Sequence, residues 1–217
     1  MNPLMWDIGR AILSPLFRLV FRVRRAGQEN IPRSGPTLIV CNHLSNWDPP
    51  FVGFCTRPRR VYFMAKSGLF RFRPFGWLVT KVGAFPVERG GADREAIRMA
   101  RATLARGDAL VMFPEGTRSL SGSLRPFFSG AGLMALEPGV VIIPTAVWGS
   151  QRRFGPVRVV FGPPIDLTAL TALADLPKSE RARTATRLMI EAIAALIPEA
   201  GGPPQRMPEG EPSLDRY

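Results

Sequence analysis

The sequence is poor in the residues that bind transition metals or cross-link a fold. Its 217 residues include one histidine, His43, and two cysteines, Cys41 and Cys55. Two cysteines without C-x-x-C spacing do not make a disulfide framework, and a single histidine leaves too few soft ligands for a zinc site. We therefore expect no metal, and we expect both cysteines to be buried structural residues.

Long apolar runs without charge are missing too. No segment approaches the ~18 to 20 apolar residues that cross a bilayer, and the N-terminus lacks the small-residue cleavage site of a signal peptide. Residues 1–25 instead predict an amphipathic helix on a membrane surface, which Pro15 is expected to kink or end. The alternative is a helix that packs its apolar side on the domain. The apolar residues are Leu4, Trp6, Ile8, Ile12, Leu13, Leu16, Phe17, Val20 and Phe21, and the interrupting arginines are Arg10, Arg18, Arg22, Arg24 and Arg25.

Acidic residues are few compared with basic ones. The chain has 17 acidic and 29 basic residues, a formal charge of +12. Such a field attracts polyanions, either nucleic acid or anionic lipid. Residues 1–75 hold twelve basic residues against only Asp7, Glu29 and Asp48, so the basic charge is concentrated near the N-terminus. With the amphipathic helix, this predicts a peripheral protein on the cytoplasmic face of the cell membrane, with an anionic membrane surface as partner.

The order of apolar patterns predicts one α/β domain with a mixed central sheet flanked by helices. A content of 46% hydrophobic and 21% charged residues is typical of a globular domain. Short apolar runs predict strands and alternate with helical patterns. The predicted strands are residues 37–41, 61–65, 84–87, 109–113, 140–147 and 157–161.

Two interior helices are predicted, one from Asp93 to Arg106 with Gly107 at its end, and one from Ser179 to Ile197. Residues 26–197 are therefore assigned to the domain. Residues 198–217 are rich in Pro, Gly and Glu and are predicted to be a disordered tail.

A polar cluster follows the first predicted strand, in the order Asn42-His43-Leu44-Ser45-Asn46-Trp47-Asp48-Pro49. On one continuous helix His43 and Asp48 would point about 140° apart, so cooperation between them requires a turn. Asp48 precedes a proline and suits the N-cap of a helix that begins at Pro49. A carboxylate there can fold back to the imidazole and orient it as a general base. The alternative is a helix cap beside an ordinary loop histidine.

A second polar loop, Phe113-Pro114-Glu115-Gly116-Thr117-Arg118-Ser119, leaves the predicted strand 109–113 in the same way. We expect the two loops to meet at one edge of the sheet. Arg118 offers a planar fork for a phosphate, Gly116 allows close backbone approach, and Thr117 or Ser119 offers a hydroxyl.

Together these segments resemble the glycerolipid acyltransferase family typified by bacterial 1-acylglycerol-3-phosphate acyltransferase. Its first signature, Asn-His followed by four residues and Asp, matches Asn42, His43 and Asp48, and its third, Phe-Pro-Glu-Gly-Thr-Arg-Ser, matches residues 113–119 throughout. The second is similar to the segment from Gly83 to Arg89, and the fourth to the apolar run that ends at Pro144. The four segments occur in the family's order, and the resemblance covers roughly residues 25 to 165.

The resemblance implies an enzyme of phospholipid biosynthesis that acylates lysophosphatidic acid, 1-acyl-glycerol-3-phosphate, to phosphatidic acid without a covalent acyl-enzyme. The implied acyl donor is a thioester, either acyl-CoA or acyl carrier protein, which is a co-substrate and not a cofactor. His43 and Asp48 are the implied catalytic residues. Those implied to bind the acceptor or shape its site are Arg89, Glu115, Gly116, Thr117, Arg118 and Pro144.

One position departs from the family pattern. Many relatives carry a lysine shortly after the third signature, where this chain has Ser129, with Arg125 as the nearest cationic substitute. The acceptor is therefore open between lysophosphatidic acid and another lysolipid, a lysophospholipid or a lyso-aminolipid. A different class of hypothesis is a non-catalytic basic module that binds membrane or nucleic acid. The two loops favour the enzyme, so we expect a lipid partner and not nucleic acid.

Overall fold

A seven-stranded sheet forms the centre of the molecule, which is a computed structural model that describes residues 1–88, 93–168 and 174–208. The strands are β1 (Arg24–Ala26), β2 (Thr37–Cys41), β3 (Val61–Lys66), β4 (Ala84–Val87), β5 (Ala109–Met112), β6 (Val141–Trp148) and β7 (Arg158–Phe161). They lie in the order β1-β7-β6-β2-β5-β3-β4. Neighbours are parallel except β6 and β7, which are antiparallel. The mixed sheet confirms the predicted fold class.

Helices cover both faces of this sheet. In the described ranges the α-helices are α1 (Pro3–Leu19), α2 (Asp48–Cys55), α3 (Arg73–Lys81), α4 (Arg94–Ala105), α5 (Gly130–Ala135) and α6 (Lys178–Glu199), and 3₁₀ helices span Gln28–Asn30 and Ser67–Phe70. Helices α4, α5 and α6 contribute to the hydrophobic cluster on one face, while α1 and α2 contribute to the cluster on the other.

Strand β2 shows why the apolar runs are continuous. Leu38 and Val40 pack into the cluster beside α4, α5 and α6, and Ile39 and Cys41 pack into the cluster beside α1 and α2. All five residues of the strand are buried. A strand covered on both faces needs apolar residues at every position, so its sequence does not alternate.

The predicted strands agree with the observed ones to within one residue at either end. Strand β1 was not predicted, because its three exposed residues, Arg24, Arg25 and Ala26, carry no apolar pattern. Its pairing with β7 is made by the backbone. Helix α4 begins where predicted, since the Asp93 carboxylate accepts a hydrogen bond from the N–H of Ala96 at 2.9 Å. Gly107, just beyond its end, has a φ of 76°.

Helix α1 divides its apolar residues between the core and the surface. Trp6 and Phe17 are buried, whereas a row at i, i+4 spacing that ends with an i, i+3 step is exposed. We call this row the α1 stripe: Leu4, Ile8, Ile12, Leu16 and Leu19. The helix continues past Pro15 to Leu19, so Pro15 does not end it. Among the helices in the described part of the chain, none has both the length and the apolar character to cross a bilayer.

The C-terminal boundary differs from the predicted one. Residues 198 and 199 belong to α6, and the chain then continues along the domain. Gly202 lies so close to Trp148 that a Cβ there would stand 2.7 Å from the indole ring. The Gln205 side-chain oxygen accepts a hydrogen bond from the N–H of Leu124 at 3.0 Å. Part of the predicted tail therefore packs on the domain, and residues 209–217 lie outside the described residues.

Candidate active site

The two polar loops leave neighbouring strands. Strand β2 pairs in parallel with β5, with Val40 opposite Met112, so both strands end at the same edge of the sheet. The loop after β2 carries His43, and the loop after β5 carries Glu115 and Arg118. This is the edge where parallel sheets commonly build their sites.

His43 and Asp48 are in direct contact. The His43 Nδ1 atom lies 2.8 Å from Oδ2 of Asp48, and that oxygen also accepts hydrogen bonds from the N–H groups of Leu44 at 2.6 Å and Ser45 at 2.7 Å. Asp48 is fully buried and His43 is 7% exposed. A carboxylate only accepts, so this contact assigns the ring proton to Nδ1 and leaves Nε2 with a lone pair.

The backbone role of Asp48 differs from the prediction. Asp48 is the first residue of α2, and Trp47 occupies the N-cap position without a side-chain cap bond. The Asp48 carboxylate bonds to N–H groups upstream in the loop and not to those of the helix. The N-cap assignment was therefore wrong, while the turn that brings the carboxylate back to His43 is present.

The second loop holds the backbone of His43 on both sides. The His43 N–H donates to Oε1 of Glu115 at 2.7 Å, and the His43 carbonyl accepts from the N–H of Ser119 at 2.7 Å. The ring of Phe113 lies 4.5 Å from the imidazole, centroid to centroid, at 33°. Gly116 has a φ of 66°, which favours glycine in the turn between these contacts. The position of the imidazole thus depends on residues about 70 positions later in the chain.

Glu115 does not occupy the place predicted for a phosphate-binding residue. It is 2% exposed, and its other oxygen, Oε2, accepts from the N–H of Arg125 at 3.2 Å. Burial raises the pKa of Glu115 to about 8, although hydrogen bonds from the backbone of His43 and Arg125 oppose this shift. Both oxygens therefore face backbone amides, and the carboxyl group links the backbone of the His43 loop to that of Arg125.

The remaining predicted acceptor residues divide into two groups. Thr117 and Arg118 line an open cleft of about 740 Å³ that also contains Arg125 and reaches Pro208. We call it the acceptor cleft. Pro144 is buried within β6, paired with Val40, and is not part of that lining.

Four other residues were named from the sequence, namely Arg89, Ser119, Arg125 and Ser129. Arg89 lies outside the described residues. Ser129, at the departure from the family pattern, is buried, whereas Arg125 is exposed in the cleft. The Ser119 hydroxyl donates to the carbonyl of Ser123 at 2.6 Å, so it serves the loop itself.

Asn42 has a role that its position in the motif did not reveal. Its side-chain amide forms two hydrogen bonds with the backbone of Val147 in β6, donating to the carbonyl at 3.0 Å and accepting from the N–H at 2.8 Å. Asn42 thereby continues the pairing of β2 with β6 just beyond the end of β2. This fixes the start of the loop immediately before His43.

Comparison with known proteins identifies the family. The acyltransferase family model matches residues 22–148. The chain is 35% identical over 144 residues to the 1-acyl-sn-glycerol-3-phosphate acyltransferase of Streptococcus pneumoniae, covering 64% of this chain and 53% of that protein. It is 38% identical over 138 residues to the lyso-ornithine lipid O-acyltransferase of Pseudomonas aeruginosa, covering 63% and 50%. The chain thus spans about half the length of these curated relatives.

A solved structure shows the same fold. The crystal structure of the 1-acyl-sn-glycerophosphate acyltransferase of Thermotoga maritima superposes with a TM-score of 0.66 at 24% identity, covering 88% of this chain and 78% of that one. The family model includes both polar loops, the strands that carry them and Asn42 with its partner Val147. The chain belongs to the acyltransferase family.

Proposed function

We propose that the protein transfers a fatty acyl group from a thioester donor to the free hydroxyl of a lysolipid, with His43 as general base and Asp48 as its orienting group. The observation that carries the proposal is the 2.8 Å contact between His43 Nδ1 and Asp48 Oδ2. It joins a nearly buried imidazole to a fully buried carboxylate, and two backbone N–H groups hold that carboxylate in place. Nε2 is then the nitrogen that meets the substrate.

The reaction follows from this orientation. Nε2 takes the proton of the acceptor hydroxyl as its oxygen attacks the carbonyl carbon of the thioester. The carbon–sulfur bond then breaks, and the thiolate of coenzyme A or acyl carrier protein takes the proton from the imidazolium. The Asp48 carboxylate stabilises the imidazolium between these steps. General base catalysis of this kind contributes about 10² to 10⁴ in rate.

The preferred acceptor is 1-acyl-glycerol-3-phosphate, which would yield phosphatidic acid. The acceptor cleft supports a phosphate-bearing substrate, because Arg118 and Arg125 line it together with the Thr117 hydroxyl. The activity for which the Streptococcus pneumoniae relative is named points the same way. A lyso-aminolipid remains the second candidate, because the Pseudomonas aeruginosa relative is named for a lyso-ornithine lipid.

We also propose that the enzyme works at the anionic, cytoplasmic surface of a membrane. The α1 stripe supports this, and so does a second group of exposed apolar residues, the α3 patch: Leu69, Phe72, Phe75, Trp77 and Leu78. The two groups lie on adjoining elements, since the N–H of Asn2 donates to the carbonyl of Lys81 at 2.9 Å. Exposed apolar residues in such a group favour insertion into the headgroup region.

The charge around the α3 patch fits an anionic membrane. Residues 66–81 include Lys66, Arg71, Arg73 and Lys81 and no acidic residue. Basic residues beside an inserting surface are attracted by the negative potential of the cytoplasmic leaflet.

Thioester turnover tests the catalytic proposal. Purified protein with acyl-CoA and lysophosphatidic acid in mixed micelles should release free thiol, and His43→Ala should reduce that release by about 10² to 10⁴ with folding preserved. Asn46→Ala, an exposed change in the same loop, is the matched control and should keep full activity. Full activity in His43→Ala would exclude it as the base. A wild-type protein that consumes no thioester with any lysolipid would favour the non-catalytic module.

Acceptor profiling tests the substrate. Arg118→Gln and Arg125→Gln should each raise KM for lysophosphatidic acid more than for lyso-ornithine lipid, because only the former has a phosphate for the guanidinium to bind. Failure with every phosphate-bearing lysolipid would contradict the preferred acceptor and leave the lyso-aminolipid.

A further inference from the structure

A second cleft lies where α1 meets the segment that follows α2. Its volume is about 370 Å³, and its charged lining consists of Asp7, Arg10, Arg57 and Arg60. We call it the arginine cleft. It shares no residue with the acceptor cleft, and nothing in the proposed reaction uses it.

The positive charge in the arginine cleft exceeds the negative charge. Arg10 and Arg60 both pair with Asp7, at 3.3 Å and 2.6 Å, and each uses a different carboxylate oxygen. Both carboxylate oxygens of Asp7 are therefore paired with an arginine. Arg57 forms no ion pair within the described residues. Three guanidinium groups thus line a cleft with one carboxylate, which pairs with two of them.

Arg10 is the most buried of the three and is incompletely paired. Its side chain is 15% exposed, and Nη1 is buried without a hydrogen-bond partner among the described residues. Burial lowers the pKa of Arg10, and the neighbouring charge of Arg57 lowers it further. A buried guanidinium N–H group without an acceptor is unfavourable, and an anion in the cleft would offset the repulsion between the arginines.

The position of this cleft on α1 indicates the source of that anion. At 100° per residue, Ala11 and Asp7 lie about 20° and 60° around the helix axis from Leu4, at the edge of the α1 stripe, whereas Arg10 lies about 120° from Leu4 on the side that packs on the domain. When the stripe rests among acyl chains, the cleft lies at its border, at the level of the lipid headgroups.

The arginine cleft is also distant from the proposed chemistry. Helix α2 begins at Asp48 and ends at Cys55, and Arg57 follows its C-terminal end. The eight residues of α2 separate Asp48 from Arg57 by roughly 12 Å along the helix axis. A ligand in this cleft would therefore not be the reacting acceptor.

We propose that the arginine cleft binds the phosphate group of an anionic membrane lipid and so fixes the orientation of α1 on the bilayer. The proposal rests on the membrane-surface role given to α1 above and not on acyl transfer. The lipid phosphate would accept hydrogen bonds from the exposed guanidinium of Arg57 and would be attracted by the charge of Arg10, while Asp7 holds Arg10 and Arg60 in place.

Vesicle binding of the full chain tests this site. The probes are phosphatidylcholine vesicles with and without phosphatidic acid. Arg57→Gln should weaken binding to the anionic vesicles several-fold more than Arg18→Gln, a matched loss of one exposed charge on α1 outside the cleft. On phosphatidylcholine alone the two variants should bind equally. Equal weakening of both on anionic vesicles would mean a diffuse electrostatic effect and would overturn the site.

A second variant keeps every arginine. Ser14 lines the cleft one helical turn after Arg10, so Ser14→Asp places a carboxylate where it can pair with Arg10. We expect its Tm to rise while its affinity for phosphatidic acid vesicles falls. Unchanged affinity would count against the proposal, because an occupied cleft should reject the lipid phosphate.

Two further measurements distinguish a lipid-phosphate site from a free-phosphate site and from a part of the catalytic machinery. Inorganic phosphate at physiological ionic strength should not displace the protein from anionic vesicles, whereas displacement would make free phosphate the ligand and overturn the lipid assignment. Thioester turnover by Arg57→Gln on dispersed substrate should equal that of the wild type, and a loss there would place the cleft in the reaction and overturn the proposal. Because the vesicle measurement needs no turnover, failure of the acyltransferase proposal would leave this test intact.

Discussion

Oε1 of Glu115 accepts a hydrogen bond from the backbone N–H of His43 at 2.7 Å, so a carboxyl group of one loop holds the candidate base of the other. The contact joins residues 72 positions apart. It also explains why a glutamate follows Pro114 in a loop that otherwise presents polar groups to a cleft. Glu115 is a positioning residue for His43, because it reaches the backbone of the base and not its ring.

Glu115 gives the protein a specific pH dependence of stability. Burial raises its pKa from 4.5 to about 8, so between these pH values the folded protein holds a proton that the unfolded chain has released. The free energy of unfolding should therefore decline as pH rises from about 4.5 to 8, by at most ~1.4 kcal/mol per pH unit from this group. Glu115→Gln cannot titrate, so it should lose this part of the slope.

Urea denaturation at several pH values between about 5 and 9 measures the difference. Glu191→Gln, which removes an exposed carboxylate from α6, controls for the loss of one charge and should keep the wild-type slope. Parallel profiles for wild type and Glu115→Gln would contradict the raised pKa.

Asp48→Asn should separate the orienting role from folding. Oδ1 of Asp48 is buried without a partner among the described residues, so an amide nitrogen can take its place while the amide oxygen keeps the three donors. The neutral amide no longer stabilises an imidazolium, and kcat should fall by about 10² to 10⁴ with little change in KM. Thioester turnover and a thermal unfolding curve measure both effects. If turnover survived within a factor of about two, the orienting role would be wrong even with His43 essential.

The sequence predicted every strand of the described sheet except β1, and it predicted the meeting of the two loops, because buried strands have continuous apolar runs and polar residues follow directly where they end. It did not predict the burial of Glu115, since a glutamate between proline and glycine has the pattern of a solvated turn. The partner of Asn42 was hidden as well, because it is the backbone of Val147, 105 residues away. Such contacts depend on strand order, and no local pattern encodes the adjacency of β2 and β6.

Asn42→Ala tests whether that amide stabilises the sheet. Without it, the N–H and the carbonyl of Val147 lose their partners in the buried interior. Each unsatisfied group costs ~1 to 3 kcal/mol, so the free energy of unfolding should decrease by roughly 2 to 6 kcal/mol. Asn46→Ala, an exposed change four residues later, should stay within about 0.5 kcal/mol of wild type in the same urea experiment. Equal stabilities of the two variants would show that Val147 finds another partner.

The membrane-contacting surface calls for substitutions and not for a deletion. Removing α1 would take Trp6 and Phe17 out of the core, so loss of vesicle binding by a truncated chain would be confounded with unfolding. Ile12→Ser and Trp77→Ser change one exposed residue each, in the α1 stripe and the α3 patch. Leu176→Ser is the control, because Leu176 is 40% exposed two residues before α6, and α6 packs on the opposite face of the sheet from α1.

Each of the two substitutions should weaken partition into phosphatidylcholine and phosphatidic acid vesicles by roughly 10- to 100-fold, since burying such a side chain in lipid contributes ~1.5 to 3 kcal/mol. Activity on bilayer substrate should fall accordingly, while activity on dispersed substrate should not change. Reduced binding in Ile12→Ser alone would confine the inserting surface to α1. A similar loss of vesicle binding in the Leu176→Ser control would mean that binding does not depend on which apolar surface faces the lipid. The proposed orientation would then be wrong.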